Sequence, residues 1–350
     1  MTRASYKWRL KWPGDGGQLR LSRRALLAAA FASTLTAQEV SSFDFSLLEE
    51  GTTPNELFFI REHFPAPAVS SAGWSLDISG LVDTPVRMTF EDLAAQPPKT
   101  LPVTLECAEN PAEAGLVSHA EWSGLSLSSL LEKARPGADG RFVRLLGADG
   151  YFRTLPLAKA THPDTLIVYR MNGEKLPVNH GFPLRAIVPG WYGMDSVKWL
   201  RAVEVTTAEA PEQEYVRRVR SLLTGTRPAG PVTAMNIKST FSRPTDGAVL
   251  TKGRRFIVRG AAWAGENLVR QVEVSYDGGT SWRTARLLSE PRRYAWVHWS
   301  SDWTMGRAGT YDLSVRAADD KGRVQPAERP SDRVDPYELN ACQTIRVTVT

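Results

Sequence analysis

Hydrophobic and polar residues alternate over short runs along most of the chain. This alternation predicts β-strands, because successive side chains of a strand point to opposite faces of its sheet. Trp74–Val86 is predicted to form a hairpin, and Arg141–Leu146 and Thr165–Tyr169 are predicted to form strands. The pair Asn172-Gly173, which follows the last of these runs, is typical of a tight hairpin turn.

Helical patterns are few and short. Thr89–Ala95 is predicted to be a helix capped by its threonine, whose hydroxyl can accept a hydrogen bond from an unpaired backbone N–H. Leu125–Lys133 and Pro156–Ala160 are predicted to be two further helices. Two strands, at 186–190 and 197–205, are expected on either side of a glycine-rich loop. The many Gly, Pro and Trp residues likewise favour a strand-rich and loop-rich architecture.

The pattern changes at Pro231. From there on, short strand-like runs recur between turns, and Asp277-Gly278-Gly279 is typical of a hairpin turn. This spacing predicts an immunoglobulin-like sandwich over residues 231–350. Residues 206–230 are charged and contain Pro and Gly, which is typical of a linker. A separate first domain is therefore predicted over residues 39–205.

Residues 1–38 are predicted to be an export signal. The pair Arg23-Arg24 precedes the apolar run Ala25–Ala32, which is much shorter than the roughly 20 residues that cross a bilayer. A twin arginine before a short apolar run is typical of the twin-arginine (Tat) export pathway. The sequence therefore predicts a bacterial periplasmic protein, with an N-terminal amphipathic helix as the alternative interpretation.

The net charge of +5 is concentrated in this N-terminal segment. Residues 1–38 hold seven Lys and Arg residues and one Asp, which leaves 36 basic and 37 acidic residues in the rest of the chain. A nearly neutral remainder gives no indication of nucleic-acid binding.

Several classes of site are excluded by their missing motifs. The chain has only two cysteines, far apart, so it lacks a disulfide framework and a cysteine-rich zinc or iron–sulfur site. The haem-attachment motif CxxCH, the P-loop and the GxGxxG fingerprint are also absent. We therefore expect no haem in this chain.

Cys107 is the residue that stands out chemically. It follows an apolar strand-like run and begins a polar loop, where a thiolate could ligate a soft metal or act as a nucleophile. A small, buried, chemically inert cysteine is the plain alternative. Three cations, Arg61, Arg185 and Lys198, lie in segments rich in Gly or Pro and are suited to binding oxyanions or phosphate. Together these groups fit a soft-metal centre with a phosphate-bearing organic ligand.

Several segments, in order, resemble the sulfite oxidase family of molybdenum enzymes. LFFIREHFPAP (Leu57–Pro67) resembles the family's segment with an arginine and a histidine, and LECAEN (Leu105–Asn110) resembles its cysteine loop. AEWSGLSLSSLL (Ala120–Leu131) is similar to the run that follows this loop. The strongest resemblance is that of Tyr169–Leu200, and Ile257–Leu287 resembles the family's dimerisation domain.

The resemblance implies an α+β fold: a mixed α/β sulfite-oxidase-type molybdopterin domain, followed by an all-β immunoglobulin-like dimerisation domain. It implies that Cys107 ligates molybdenum beside the dithiolene of molybdopterin, and that Arg61 lies next to the metal and holds an oxyanion substrate. Tyr215, within the linker, is the candidate for the family's active-site tyrosine. The remaining residues implied to bind the cofactor are Phe59, Ile60, Glu62, His63, Asp149, His180, Arg185, Ser196, Val197 and Lys198.

The chain departs from the family pattern at several positions of the implied pocket. Glu109 replaces a glycine of the cysteine loop, and Pro111-Ala112 replaces the arginine that usually follows. Glu62 stands where the family has an asparagine, and Asp195 stands where an arginine is common. A C-terminal substrate-binding arginine of the family has no clear counterpart. These changes predict a pocket with fewer cations and more carboxylates, which is less suited to a dianion such as sulfite.

The resemblance implies oxygen-atom transfer, with oxidation of sulfite to sulfate as the first expectation and electron transfer to a c-type cytochrome or another electron-transfer protein. A homodimer or heterodimer is implied by the dimerisation domain. Reduction of a sulfoxide or similar oxide on the same fold is one alternative. A non-catalytic binding protein that retains the scaffold is another.

Overall fold

The computed structural model describes residues 51–111, 115–209, 232–330 and 336–350. The predicted export signal and Tyr215 lie outside these residues. Strands are the main regular secondary structure of the described chain. No helix within the described ranges is long and apolar enough to cross a membrane.

The first sheet supports one side of the N-terminal part. Its strands run in the order β2 (Val86–Thr89), β1 (Ser75–Gly80), β10 (Leu200–Thr206), β5 (Phe142–Gly147) and β6 (Phe152–Pro156). β1 and β10 are parallel and the other pairs are antiparallel. The predicted hairpin over Trp74–Val86 is confirmed, because β1 and β2 pair across it.

The second sheet carries the cysteine loop. It runs β3 (Lys99–Glu106), β4 (Val117–Ser126), β7 (Leu166–Met171) and β8 (Glu174–Lys175), with β9 (Arg185–Ile187) paired to β7. The predicted Asn172-Gly173 turn is confirmed, since it joins the antiparallel pair β7 and β8.

The helices of the described chain are short. They are α1 (Phe90–Ala94), α2 (Leu127–Ala134) and α3 (Leu157–Ala160). Thr89 caps α1 as predicted, because its hydroxyl accepts a hydrogen bond from the Asp92 N–H while the Asp92 carboxylate accepts one from the Thr89 N–H. The fully buried Leu127, Leu130 and Leu131 of α2 pack in the core that also contains residues of the first two sheets. With helices of at most eight residues, the α+β prediction is supported only in part.

Three predicted element boundaries are corrected by the structure. Leu125 belongs to β4 and pairs with Ile167, so α2 begins two residues later than the pattern predicted. The strand expected at 186–190 ends at Ile187. The strand expected at 197–205 begins only at Leu200, because Trp199 has a positive φ of 49°, which no regular strand accommodates.

The C-terminal part is a sandwich of two sheets. One sheet runs β11 (Lys238–Arg243), β13 (Arg255–Trp263), β17 (Val297–Thr304) and β16 (Arg286–Leu287). The other runs β12 (Val249–Leu250), β19 (Gln343–Val349), β18 (Gly309–Asp319), β14 (Val269–Ser275) and β15 (Arg283–Thr284). Inward residues of both sheets form one core around the fully buried Trp299. The two-sheet architecture is the one that the spacing of strands and turns predicted.

The sandwich is packed against the N-terminal part through an apolar cluster. Trp263 and Trp296 of the sandwich contact Ala108, Val117 and Tyr192 in this cluster. Ala108 directly follows Cys107, so the sandwich is in contact with the cysteine loop. This contact becomes important for the site.

Candidate active site

A cleft opens beside the end of β3. Segments that are far apart in the sequence line it: the chain after Leu57, the cysteine loop, the turn after β5 and the region between residues 180 and 199. Eleven of the thirteen residues predicted from the sequence line this cleft. They are Phe59, Arg61, Glu62, His63, Cys107, Asp149, His180, Arg185, Ser196, Val197 and Lys198.

The other two predicted residues are placed differently. Ile60 forms an isolated β-bridge and is not among the lining residues. Tyr215 lies outside the described residues, so its role stays a prediction. The segment that carries Arg61 and His63 is irregular apart from Ile60, and both side chains reach the same cleft.

Cys107 lies one residue beyond β3, as the sequence predicted. Its N–H donates to Leu116 O at 2.9 Å and its carbonyl accepts from Asn110 N at 2.9 Å, so a tight turn holds the residue. Burial raises the pKa of the Cys107 thiol to about 11. The thiol is therefore neutral at physiological pH in the absence of a cation, and a bound metal ion would make its deprotonation favourable.

Arg61 lines the same cleft as Cys107 and is paired with an acid. Its Nη2 donates to Glu109 Oε2 at 2.9 Å, and each side chain is about one-third exposed. Tyr337 lines the same region and hydrogen-bonds to Glu109. Burial and the Glu109 carboxylate together raise the pKa of Tyr337 to about 12, so its hydroxyl stays protonated and donates. The glutamate that replaces the family's glycine therefore lies in the pocket and neutralises Arg61.

Glu62 likewise points into the cleft, where it meets Lys198. The Lys198 ammonium donates to Glu62 Oε1 at 3.0 Å and to Asn179 O at 2.8 Å. Burial lowers the pKa of Lys198 to about 8, although the Glu62 carboxylate opposes this effect. Burial also raises the pKa of Asp149, which lines the same end of the cleft. Asp195 behaves differently, since it is buried against Arg153 at 2.7 Å and is not a lining residue.

Arg185 and His180 are buried residues that line the cleft. The guanidinium of Arg185 is fully buried, and both of its hydrogen bonds to described residues go to backbone oxygens, those of His180 at 2.9 Å and Ser196 at 3.0 Å. Its Nε has no partner among the described residues. His180 Nε2 lies 3.0 Å from Asn55 O, and burial lowers the pKa of His180 to about 3. The imidazole is therefore neutral and donates this hydrogen bond to the carbonyl.

His63 is a second neutral imidazole in the cleft. Burial, followed by the charge of Arg61, lowers its pKa to about 4. Its ring stacks on Tyr151, with a centroid distance of 5.3 Å. A flat, uncharged surface of this kind suits contact with a planar organic ring.

Comparison with known proteins assigns these features to a family. Residues 63–214 match the oxidoreductase molybdopterin binding domain, and residues 230–334 match the Mo-co oxidoreductase dimerisation domain. Sulfite oxidase of Gallus gallus is 32% identical over 318 residues, which cover 80% of this chain and 69% of that protein. The chain belongs to the sulfite oxidase family of molybdopterin-binding oxidoreductases.

Other known proteins also match most of this chain. Human mitochondrial sulfite oxidase is 31% identical, and the match covers 80% of this chain but 58% of that protein. The NADH nitrate reductase of Volvox carteri is 32% identical, with 38% of its length covered. Among solved structures, the sulfane dehydrogenase SoxCD from Paracoccus pantotrophus has a TM-score of 0.81 and 28% identity, covering 96% of this chain and 92% of that chain. The chain thus spans little more than half of the human relative.

The residues of the cleft fit the molybdopterin of the sulfite oxidase family. The buried guanidinium of Arg185 makes its hydrogen bonds to backbone oxygens and lies over the Trp122 ring, so none of these partners carries a negative charge, and the phosphate of molybdopterin would provide one. Gly181 allows the chain to approach Arg185 and Lys198 closely. Its φ is 105°, and a side-chain carbon there would lie 2.9 Å from Arg185 Cβ and 3.1 Å from Lys198 Cα. Arg185, His180 and Lys198 would hold the pterin and its phosphate, and Cys107 would ligate the metal.

Sequence reasoning missed several residues of the cleft. Tyr337 comes from the C-terminal part, more than 200 positions from Cys107, and Tyr151 stacks on His63. No local pattern marks Tyr337, because it lies in an irregular segment between two strands. Tyr151 follows the turn that contains Asp149, so proximity to that predicted residue was the available signal.

Proposed function

We propose that this protein oxidises sulfite to sulfate by oxygen-atom transfer and passes the electrons to a c-type cytochrome. In this reaction sulfite gains one oxygen atom, which derives from water, and two electrons and two protons are released. When bound in the cleft, the molybdenum cofactor would supply the oxygen atom and accept the electron pair. We further propose that the protein reaches the periplasm through the Tat pathway and functions as a homodimer or heterodimer.

The observation that carries the proposal is the position of Cys107 and Arg61 at one cleft that the buried Arg185 also lines. A soft thiolate would hold the metal, and a guanidinium beside it can orient an oxyanion through charge-assisted hydrogen bonds. Because His63 and His180 are neutral, the cations that line the cleft are Arg61, Arg185 and Lys198. The names of the relatives, sulfite oxidase and sulfane dehydrogenase, support a sulfur-containing substrate.

A second candidate function is favoured by the Arg61–Glu109 ion pair. Because Glu109 already neutralises Arg61, a dianion that enters the cleft must compete with a carboxylate for the guanidinium. An uncharged substrate does not face this competition. Reduction of a sulfoxide or similar oxide, with oxygen transfer in the opposite direction, is therefore the alternative activity on the same site.

The test is an acceptor-coupled assay on the full chain, expressed with its N-terminal segment and analysed for bound molybdenum. We expect molybdenum in the purified protein and sulfite-dependent reduction of cytochrome c. Reduction of a sulfoxide panel by a reduced viologen dye, without sulfite oxidation, would instead establish the second function. A folded protein without molybdenum would contradict both and would favour a non-catalytic binding protein.

A further inference from the structure

Lys238 belongs to the sandwich, yet its side chain reaches the cysteine loop. It is the first residue of β11 and is 2% exposed. Its ammonium donates to Glu106 Oε1 at 2.9 Å and to Asn110 O at 2.5 Å. Glu106 precedes Cys107 and Asn110 lies three residues after it, so one ammonium group binds the chain on both sides of the cysteine.

The acceptors of Lys238 are themselves fixed by a buried network. Glu106 Oε2 accepts from Trp263 Nε1 of the sandwich at 2.8 Å, and Glu106 Oε1 accepts from Asn110 Nδ2 at 3.0 Å. Asn110 Oδ1 accepts in turn from Leu116 N at 2.9 Å, at the other end of the loop. The four side chains of the network are each at most 3% exposed. Such a network restricts its members to one arrangement, since an unpaired charge in this environment is costly.

We propose that Lys238 is a positioning residue for Cys107, which it orients by binding Glu106 and Asn110 to the sandwich. The C-terminal domain would then complete the active site in addition to any role in dimerisation. This inference rests on the proposed function only in that Cys107 is taken to be the metal ligand. Lys238 itself does not line the cleft, so it acts on the cysteine through the loop.

The chain offers a matched control for this inference. Lys159, in α3, makes a second ion pair with the sandwich, and its ammonium also binds one carboxylate and one backbone carbonyl: Glu266 Oε1 at 2.6 Å and Pro189 O at 2.9 Å. Neither Lys159 nor Glu266 lines the cleft. Lys159→Met therefore removes a similar contact between the two parts of the chain without altering the cysteine loop.

The experiment compares Lys238→Met with Lys159→Met by two measurements. In the metal-free protein, hydrogen exchange followed by mass spectrometry reports the order of peptides that span residues 105–111. In the molybdenum-loaded protein, the optical absorption of the thiolate-to-metal transition and the separate kcat and KM values report the placement of the thiolate. We expect faster exchange in this peptide, a shifted absorption band and a kcat that is roughly ten- to hundredfold lower in Lys238→Met. KM should change much less, and Lys159→Met should change none of these quantities.

Lys238→Met leaves the Glu106 carboxylate without its counter-ion, which could prevent folding. Two further measurements test the inference in that case. The double variant Lys238→Met with Glu106→Gln removes both charges, and we expect it to fold with the same exchange and spectral changes. In the unmodified metal-free protein, the 105–111 peptide should exchange as slowly as peptides of β3. A normal absorption band and kcat in either folded variant, or rapid exchange of this peptide in the unmodified protein, would overturn the inference. If the unmodified protein neither oxidises sulfite nor reduces sulfoxides, the proposed function is contradicted, while the hydrogen-exchange result still tests the role of Lys238.

Discussion

On the proposed function, replacing Glu109 by Gln should lower the KM for sulfite. The substitution keeps the shape of the side chain and removes one negative charge from a group whose oxygen lies 2.9 Å from Arg61. The pair is about one-third exposed, so solvent screens it strongly. With an effective dielectric constant of about 60 and a separation of about 6 Å, one carboxylate charge repels a dianion by about 1–2 kcal/mol. This energy corresponds to a KM for sulfite that is roughly five- to thirtyfold lower.

The assay measures steady-state sulfite oxidation with cytochrome c at mildly alkaline pH, where sulfite is a dianion. Activity is expressed per bound molybdenum, so that changes in cofactor content do not contribute. Glu204→Gln is the matched control, because the Arg144–Glu204 pair has nearly the same exposure, 31% on each side, and does not line the cleft. An unchanged or higher KM in Glu109→Gln, relative to this control, would show that the carboxylate does not oppose substrate binding.

Four other variants test the remaining assignments. Cys107→Ser should lose turnover while its far-ultraviolet circular dichroism is retained, and full activity would refute the ligand assignment. Arg185→Met should lower the bound pterin and molybdenum at least about tenfold, since a charged hydrogen bond contributes about 1.5–3 kcal/mol; normal contents would contradict its phosphate-binding role. Tyr337→Phe removes the hydroxyl that donates to Glu109, so this carboxylate should bind Arg61 more tightly and raise the KM for sulfite by a factor of about five; a lower KM would be the opposite result. Burial lowers the pKa of His119 from 6.5 to about 3, so its contribution to stability is complete above pH 6.5 and is lost as the pH falls towards 3. Urea unfolding of metal-free His119→Gln should accordingly show a free energy that falls less steeply in this range, by about 1.4 kcal/mol per pH unit, and an equally steep fall would mean that folding does not lower the pKa of His119.

Local structure was largely predictable from local pattern. The hairpin of β1 and β2, the Thr89 cap of α1 and the Asn172-Gly173 turn are each determined by residues within a few positions of one another. The errors occurred where a partner from elsewhere decided the outcome. Leu125 continues β4 because Ile167 of β7 pairs with it, and no helical propensity within 125–133 reveals that partner.

The candidate site was predictable as a set of residues but not as an electrostatic environment. The motifs around Arg61, Cys107 and His180 identified lining residues, because each motif occupies a compact segment. The directions of Glu62 and Glu109 could not be predicted, since a sequence does not state whether an acid beside a cation meets it or points to solvent. In the structure both acids enter the cleft, and they pair with Lys198 and Arg61 respectively.

The sequence by itself determined that Cys107 follows a strand and precedes a polar loop, and that a strand-rich second domain follows. Only the tertiary structure decided that this domain provides Lys238 and Trp263 to the cysteine loop and Tyr337 to the cleft. The physical reason is that periodicity reports which face of its own strand a residue occupies. Which distant side chain that face meets depends on the packing of one sheet against another, and Lys238 meets Glu106 across 132 positions of sequence.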